Sequence, residues 1–293
     1  MVITTIDAAP ARARRRIDWS QPFVYLIALV VVGIAVAPVG YVILNGFRTT
    51  KQLNENLAGW PDPWTFTTYG RVLFGPDTLF WNQAFTSTIV ALGTTAGVVA
   101  FGVMAAFVIA RYEFKGRGLM YSLFTAGLLF PVSVAILPLS IMLQTFGLNG
   151  SVFGVIIPQV AFALPTTIII LVPFLRAIPQ ELEDAAMIDG TSKVGFFWRI
   201  LLPLSSPGLV TVGVLAFVGS WNAYLLPLFV LGAGGAGPAN YTLPLGVQQF
   251  STQFSSDTAG VLAFTSLAMI PALVFFMFAE RRIVGGLTGA VKG

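Results

Sequence analysis

The sequence predicts an all-α polytopic membrane protein with six transmembrane helices, and three observations predict it. The 293-residue chain is 56% hydrophobic and only 10% charged, with a mean hydropathy of +0.84. Its apolar residues fall in blocks long enough to cross a hydrocarbon core, which takes about 18–20 residues of helix. No Asp, Glu, Lys or Arg lies deep inside those blocks, as a cost of about 2.5–3.5 kcal/mol per charge at the bilayer centre requires.

The blocks follow in order. Residues 1–21 form an arginine-rich tail, expected on the cytoplasmic side, with Arg12, Arg14, Arg15 and Arg16. The run from Pro22 to Asn45 is longer than the apolar core of a signal peptide and is read as a retained first helix. With the polar stretch up to residue 83 it makes an accessory span and an outer loop. The core covers 84–281, with spans at Ala84–Ala110, Gly118–Leu143, Ser151–Leu175, Gly208–Leu231 and Ala259–Ala279. Residues 282–293 form a second tail. Pro38, Pro131, Pro138, Pro158, Pro165, Pro173, Pro227 and Pro271 interrupt the spans, and each frees a carbonyl that a neighbouring helix or water must satisfy.

Charge sets the orientation. With alternating sides, thirteen of the sixteen basic residues collect on one side and only Arg48, Lys51 and Arg71 on the other. The positive-inside rule makes the crowded side cytoplasmic, with both tails on it. The chain is expected to cross its membrane several times, with both ends inside the cell. The chain has no cysteine and no histidine, which removes thiol and imidazole catalysis and Cys- or His-ligated metal sites. It has no Walker phosphate loop, so no cofactor is expected in this chain, and no nucleic-acid partner is needed to explain its charge.

The most telling segment is 177–207, a polar island between the fourth and fifth spans. It carries Glu181, Glu183, Asp184, Asp189, Lys193 and Arg199. Burying six charges in lipid would cost on the order of 15 kcal/mol or more, so the island sits in water or against another protein. Pro179 and the following acids suit a helix N-terminus, with Glu181 and Asp184 on one face and Ala185 and Ala186 small enough for close approach. Gly190 fits a left-handed helix end, and Thr191 or Ser192 can cap a second helix. Phe196, Phe197, Ile200 and Leu201 form that helix's apolar stripe, and Pro203 and Pro207 end the excursion. Physical chemistry leaves two readings: exposed aromatics beside an acidic face that insert into a groove on a soluble partner, or an amphipathic connector lying on lipid headgroups.

Asp184-Ala185-Ala186, three residues, Gly190, nine residues and Ile200-Leu201-Leu202-Pro203 resemble the EAA loop of ABC importer permeases. Asp184 stands where that family usually has Glu, keeping the charge with a reach about one methylene shorter. Three further stretches, Ala110–Arg117, Ser220–Tyr224 and Tyr241–Leu245, resemble the AR-x-x-F-x-G-R turn, the WN motif and the YTLP segment of carbohydrate importers. The ending from Gly286 to Gly293 resembles their GLTxGAVKG terminus with one residue missing. The chain is similar to the MalG-like permeases, with a MetI-like type I fold. The resemblance implies a non-catalytic subunit that imports a carbohydrate, or a related polyol or glycerol phosphate, by alternating access. It implies two copies of an ABC ATPase that bind ATP and Mg, a second, MalF-like permease, an extracytoplasmic solute-binding protein, and coupling through Glu181, Asp184, Ala185, Ala186, Gly190, Phe196, Phe197, Leu202 and Pro203.

Sugar recognition needs aromatic faces and hydrogen-bonding groups. Ser220, Trp221, Asn222 and Tyr224 offer both near the kink expected at Pro227, and Gln159 adds an amide in the fourth span. Each can equally serve helix packing. Tyr241, Thr242, Leu243 and Pro244 follow a glycine-rich outer stretch, and the resemblance implies contact with the binding protein there. The rivals are an ion-coupled secondary transporter, which the missing intramembrane charges oppose, an intramembrane enzyme without His or Cys to work with, and a bare membrane anchor for an ATPase.

Overall fold

The computed structural model describes residues 20–250 and 257–290. The tail arginines at 12–16 and the last three residues lie outside them, as does part of the last outer loop. Among the described residues the chain is helical throughout its regular structure. Four helices are long and apolar enough to cross a membrane, and two bent helix pairs raise the count to six.

Helix α1 (Ser20–Asn45) contains Pro38 and runs uninterrupted. Two short helices, α2 (Thr50–Glu55) and α3 (Thr67–Phe74), build the outer loop. Helix α4 (Phe80–Arg111) is the central post, and α7 (Val152–Arg176) packs along it. Their close approach comes from glycine: a Cβ on Gly97 would stand 2.7 Å from Val160, so a larger residue would push the pair apart. Small residues let membrane helices gain dispersion contact where lipid gives no hydrophobic drive.

The expected third span is not a straight rod. It is α5 (Arg117–Gly127) and α6 (Val132–Thr145), bent by 100° at 128–131. Pro131 has no amide proton to continue α5 and instead starts α6. Prolines 158, 165 and 173 lie inside α7 without breaking it, each leaving the carbonyl four residues earlier without its helical partner.

The island becomes α8 (Glu181–Ile188) and α9 (Lys193–Leu204). Pro203 does not end α9. It sits inside the run, and the backbone makes room for it with a π-turn over Phe197–Leu201, where the Leu202 N–H reaches the Phe197 carbonyl. A 74° bend at Ser205 then leads into α10 (Ser206–Trp221). The fifth span is also shorter than expected. It stops at Trp221, and after Asn222–Tyr224 a new short helix, α11 (Leu225–Pro227), runs into a second π-turn, Leu228–Gly232. Pro227 lies within that new helix and not at the break. Helix α12 (Leu243–Gly246) and helix α13 (Thr258–Ala290) complete the chain.

Two ends result. Arg111, Lys115, Arg117, Arg176, Lys193 and Arg199 gather at one, where Arg111 Nη2 donates to the Ile178 carbonyl at 2.8 Å. Arg48, Lys51 and Arg71 mark the other, where α2, α3 and the start of α13 meet.

Candidate functional site: a clamped elbow and a broken span

The elbow α8–α9 is built from local signals that the sequence carries. Gly190 has φ +79°. Its N–H reaches Met187 O at 3.0 Å and the next N–H reaches Ala186 O at 2.9 Å, the paired bonds of a Schellman helix end. The residue that caps α9 is Ser192, whose hydroxyl accepts from Gly195 N at 3.1 Å. Pro179 lies just ahead of α8 rather than in its first turn.

The aromatic stripe faces inward. Phe196 is fully buried and Phe197 nearly so, in one cluster with Ala106, Phe107, Ile109, Ile168, Leu171, Leu175 and Leu201. The rings of Phe107 and Phe197 stand 5.0 Å apart. The expectation of exposed phenylalanines therefore needs correcting: periodicity identified a stripe, but the molecule's own core takes it. Leu202 is half-buried and Pro203 exposed.

On α8, Glu183 and Ala186 point inward while Glu181, Asp184 and Ala185 face out. Glu183 lies off the face shared by Glu181 and Asp184, and no sequence pattern marks it as buried. It is only 8% exposed. Burial first, and then the Glu183 carboxylate, raise the pKa of the Tyr112 phenol, while Lys193 Nζ stands 4.8 Å over the Tyr112 ring. These contacts bind the α4–α5 turn to the elbow. At the tip, Ile188 is 86% exposed, an apolar knob one turn beyond Asp184. Its only sequence signal was that i+4 spacing. Trp198 is the exposed aromatic of α9.

The other candidates separate into packed and open residues. Ser220 donates to Gln159 Oε1 at 2.5 Å and Thr94 donates to the same oxygen at 2.9 Å, so one amide joins α4, α7 and α10. Trp221 is buried, stacked on Phe217, with its indole N–H on Ala268 O at 3.1 Å. Asn222 and Tyr224 are exposed at the break. In the last outer segment Thr242 and Leu243 are buried, and the Leu243 N–H reaches Ser87 Oγ at 2.7 Å. Tyr241 and Pro244 are half-buried.

Comparison with known proteins agrees with this architecture. Residues 98–288 match the family model for binding-protein-dependent transport system inner membrane components. The chain is 36% identical to the trehalose transport system permease protein SugB of Mycobacterium tuberculosis, over 96% of this chain and 99% of that protein. It is 33% identical to the diacetylchitobiose uptake system permease protein NgcG of Streptomyces coelicolor, over 87% of this chain and 83% of that one. Its fold matches a chain in the crystal structure of a bacterial ABC transporter involved in the import of the acidic polysaccharide alginate, with a TM-score of 0.74 at 20% identity over 92% of this chain and 99% of the other. The six-span framework, the elbow and these matches together make the chain a multi-pass permease of an ABC importer, a member of the binding-protein-dependent transport system inner membrane component family.

Proposed function

We propose that the chain forms one half of a carbohydrate-import pathway and takes its energy from a separate ATPase docked on the elbow. The observation that carries this reading is the construction of α8. Its outer face presents Glu181, Asp184, Ala185 and Ile188, while its inner side is clamped into the core through Ala186 and, beside it, Phe196 and Phe197 of α9. An exposed acid and apolar face on a short rigid helix suits insertion into a groove, and the clamp passes the partner's motion to α4, α7 and α10. Closure of two ATPase copies around ATP and Mg drives the rocking, and this chain performs no bond chemistry. A second homologous permease supplies the other half of the path and an extracytoplasmic binding protein delivers the solute. The basic end faces the cytoplasm, with both termini on that side. The sugar class is supported by the names of the trehalose and diacetylchitobiose relatives.

The test uses the complete transporter in liposomes with labelled trehalose, maltose and diacetylchitobiose. Wild type is expected to import at least one of them only when ATP is inside with the ATPase. Ile188→Asp places a charge on a nearly fully exposed position, so no core packing is lost. It is expected to reduce ATPase co-purification and uptake at least tenfold, the scale of an interface anchor worth about 2 kcal/mol. Full uptake and retention of the ATPase in that variant would sink the docking reading.

A further inference from the structure

The fifth span breaks at Asn222–Tyr224, and the depth of that break matters. Helix α10 has 16 residues from Ser206 to Trp221, which at about 1.5 Å each is about 24 Å. A hydrocarbon core is about 30 Å thick, so with Ser206 placed at its cytoplasmic edge the helix ends short of the far surface and Asn222 falls in the outer part. Pro227 has no amide proton to offer the Ala223 carbonyl. Non-helical backbone at this depth is tolerated only where it is buried in protein or lines a watery cavity. Asn222 and Tyr224 are exposed, so burial within this chain does not account for it.

A second segment meets the break. An open cavity of about 510 Å³ is lined by Tyr224, Pro244, Val247 and Gln248. Gln248, also exposed, donates from Nε2 to the Tyr224 hydroxyl at 2.6 Å. Among the described residues, that bond leaves the Tyr224 O–H as a donor and Gln248 Oε1 as an acceptor. Asn222 donates from Nδ2 to the Val218 carbonyl at 3.0 Å, which leaves its Oδ1 as a second acceptor. The tyrosine ring supplies a face for C–H stacking, and Pro244 and Val247 an apolar wall. None of these residues carries a charge, so the set suits a neutral, hydroxyl-rich ligand better than an ion.

We propose that Asn222, Tyr224 and Gln248 form a polyol-binding station on the outer part of the translocation path. It selects for neutral saccharide hydroxyls as the solute leaves its delivery protein. The neighbouring Ser220, Trp221 and Gln159 have structural duties: Gln159 ties three helices and Trp221 is locked on α13. The station rests on the import reading above and assigns its solute contacts on this chain.

The natively cysteine-free sequence makes the test direct. Single-cysteine variants Asn222→Cys, Tyr224→Cys and Gln248→Cys, assembled in the whole transporter in liposomes, are treated with a membrane-impermeant charged thiosulfonate. Ile34→Cys on exposed α1 is the lipid-facing control. All three are expected to react at least tenfold faster than the control, and trehalose, maltose or diacetylchitobiose supplied with the binding protein is expected to slow them. In uptake assays, Gln248→Ala and Tyr224→Phe are expected to raise half-saturation by about 5–10-fold, the worth of one hydrogen bond of about 1–1.5 kcal/mol, with the maximal rate retained. Labelling no faster than at Ile34→Cys would overturn the station. So would unchanged half-saturation and no protection in a transporter that imports one of these sugars. A wild-type complex that imports none of them would count against the carbohydrate reading and the ligand half of this one, and the labelling rates would still decide whether the station faces water.

Discussion

The two ends of the molecule are held by different physics. At the basic end the elbow is fixed by apolar contact: Phe196, Phe197 and Leu201 are buried against α4 and α7, and few side-chain hydrogen bonds help. At the other end polar stitches dominate. Arg48, only 2% exposed, donates to Asn45 Oδ1 at 2.8 Å, Gln52 O at 2.7 Å and Asn56 O at 2.6 Å, pinning two helix ends. Thr50 donates to Asp257 at 2.8 Å, Arg71 pairs with the same carboxylate, and Tyr69 shares a hydrogen bond of 2.8 Å with Ser266. Apolar packing is non-directional and close-packed, so it moves as a solid body, whereas polar stitches can be exchanged for water one at a time. The lever proposed above therefore sits at the end whose contacts suit rigid-body motion, and the other end has contacts that can be exchanged one at a time.

The strongest way to break this contrast is Phe196→Ala. Emptying a fully buried phenylalanine site typically costs about 3–5 kcal/mol, and here the void opens where the elbow meets the spans. The expected outcome is a large loss of thermal stability in detergent together with loss of ATP-coupled uptake. Retained coupling despite the cavity would show that the clamp does not transmit motion.

Gly190→Ala is a sharper and smaller probe. Space around Gly190 is open, so a methyl group meets nothing and only the backbone resists. Placing an L-residue at φ +79° costs about 1–2 kcal/mol. The elbow is expected to fray at the end of α8 while the rest of the fold holds. Thermal melting would then fall modestly, and the ratio of sugar imported to ATP hydrolysed would fall further. Equal losses in both would mean that the turn only supports the fold.

Much of this was legible in the sequence because it depends on local rules. Blocks of about twenty apolar residues can only be spans or a core, and Gly190 followed by Thr191 and Ser192 signals a helix end and a helix start, with the structure choosing Ser192 as the cap. What was not legible depends on tertiary surroundings. Periodicity placed Phe196 and Phe197 on one stripe but is silent on whether that stripe meets a partner or its own core. A proline signals a missing donor, not a break: Pro165 and Pro203 are absorbed within helices, while the fifth span parts at Asn222, five residues before Pro227. Gln248 had no pattern at all, because its role comes from lying beside Tyr224, 24 positions away.

The smallest expected effect tests the polar end. Burial alone would push the Asp257 carboxyl up, yet the Gly260 N–H, the Thr50 hydroxyl and the Arg71 guanidinium outweigh it and hold it below the ordinary carboxylate range. A carboxylate depressed in the folded state stabilises that state above its unfolded pKa, and the contribution is lost as pH falls through the lower folded value. The stitch is therefore intact at neutral pH and begins to weaken only below about 4. Arg71 is largely exposed, so water and salt screen the pair and its worth is about 0.2–1 kcal/mol. Melting curves of wild type and Asp257→Asn should differ by a degree or so at neutral pH, in the region of about 2–4 °C per kcal/mol for a chain of this size. They should converge as the medium is acidified, and added salt should narrow the gap at neutral pH. At the elbow, where apolar area does the holding, the deficit of Phe196→Ala should persist across the same range of pH and salt. A deficit for Asp257→Asn that is equally indifferent to acid would place the two ends under the same physics and remove the distinction between a rigid lever and exchangeable contacts.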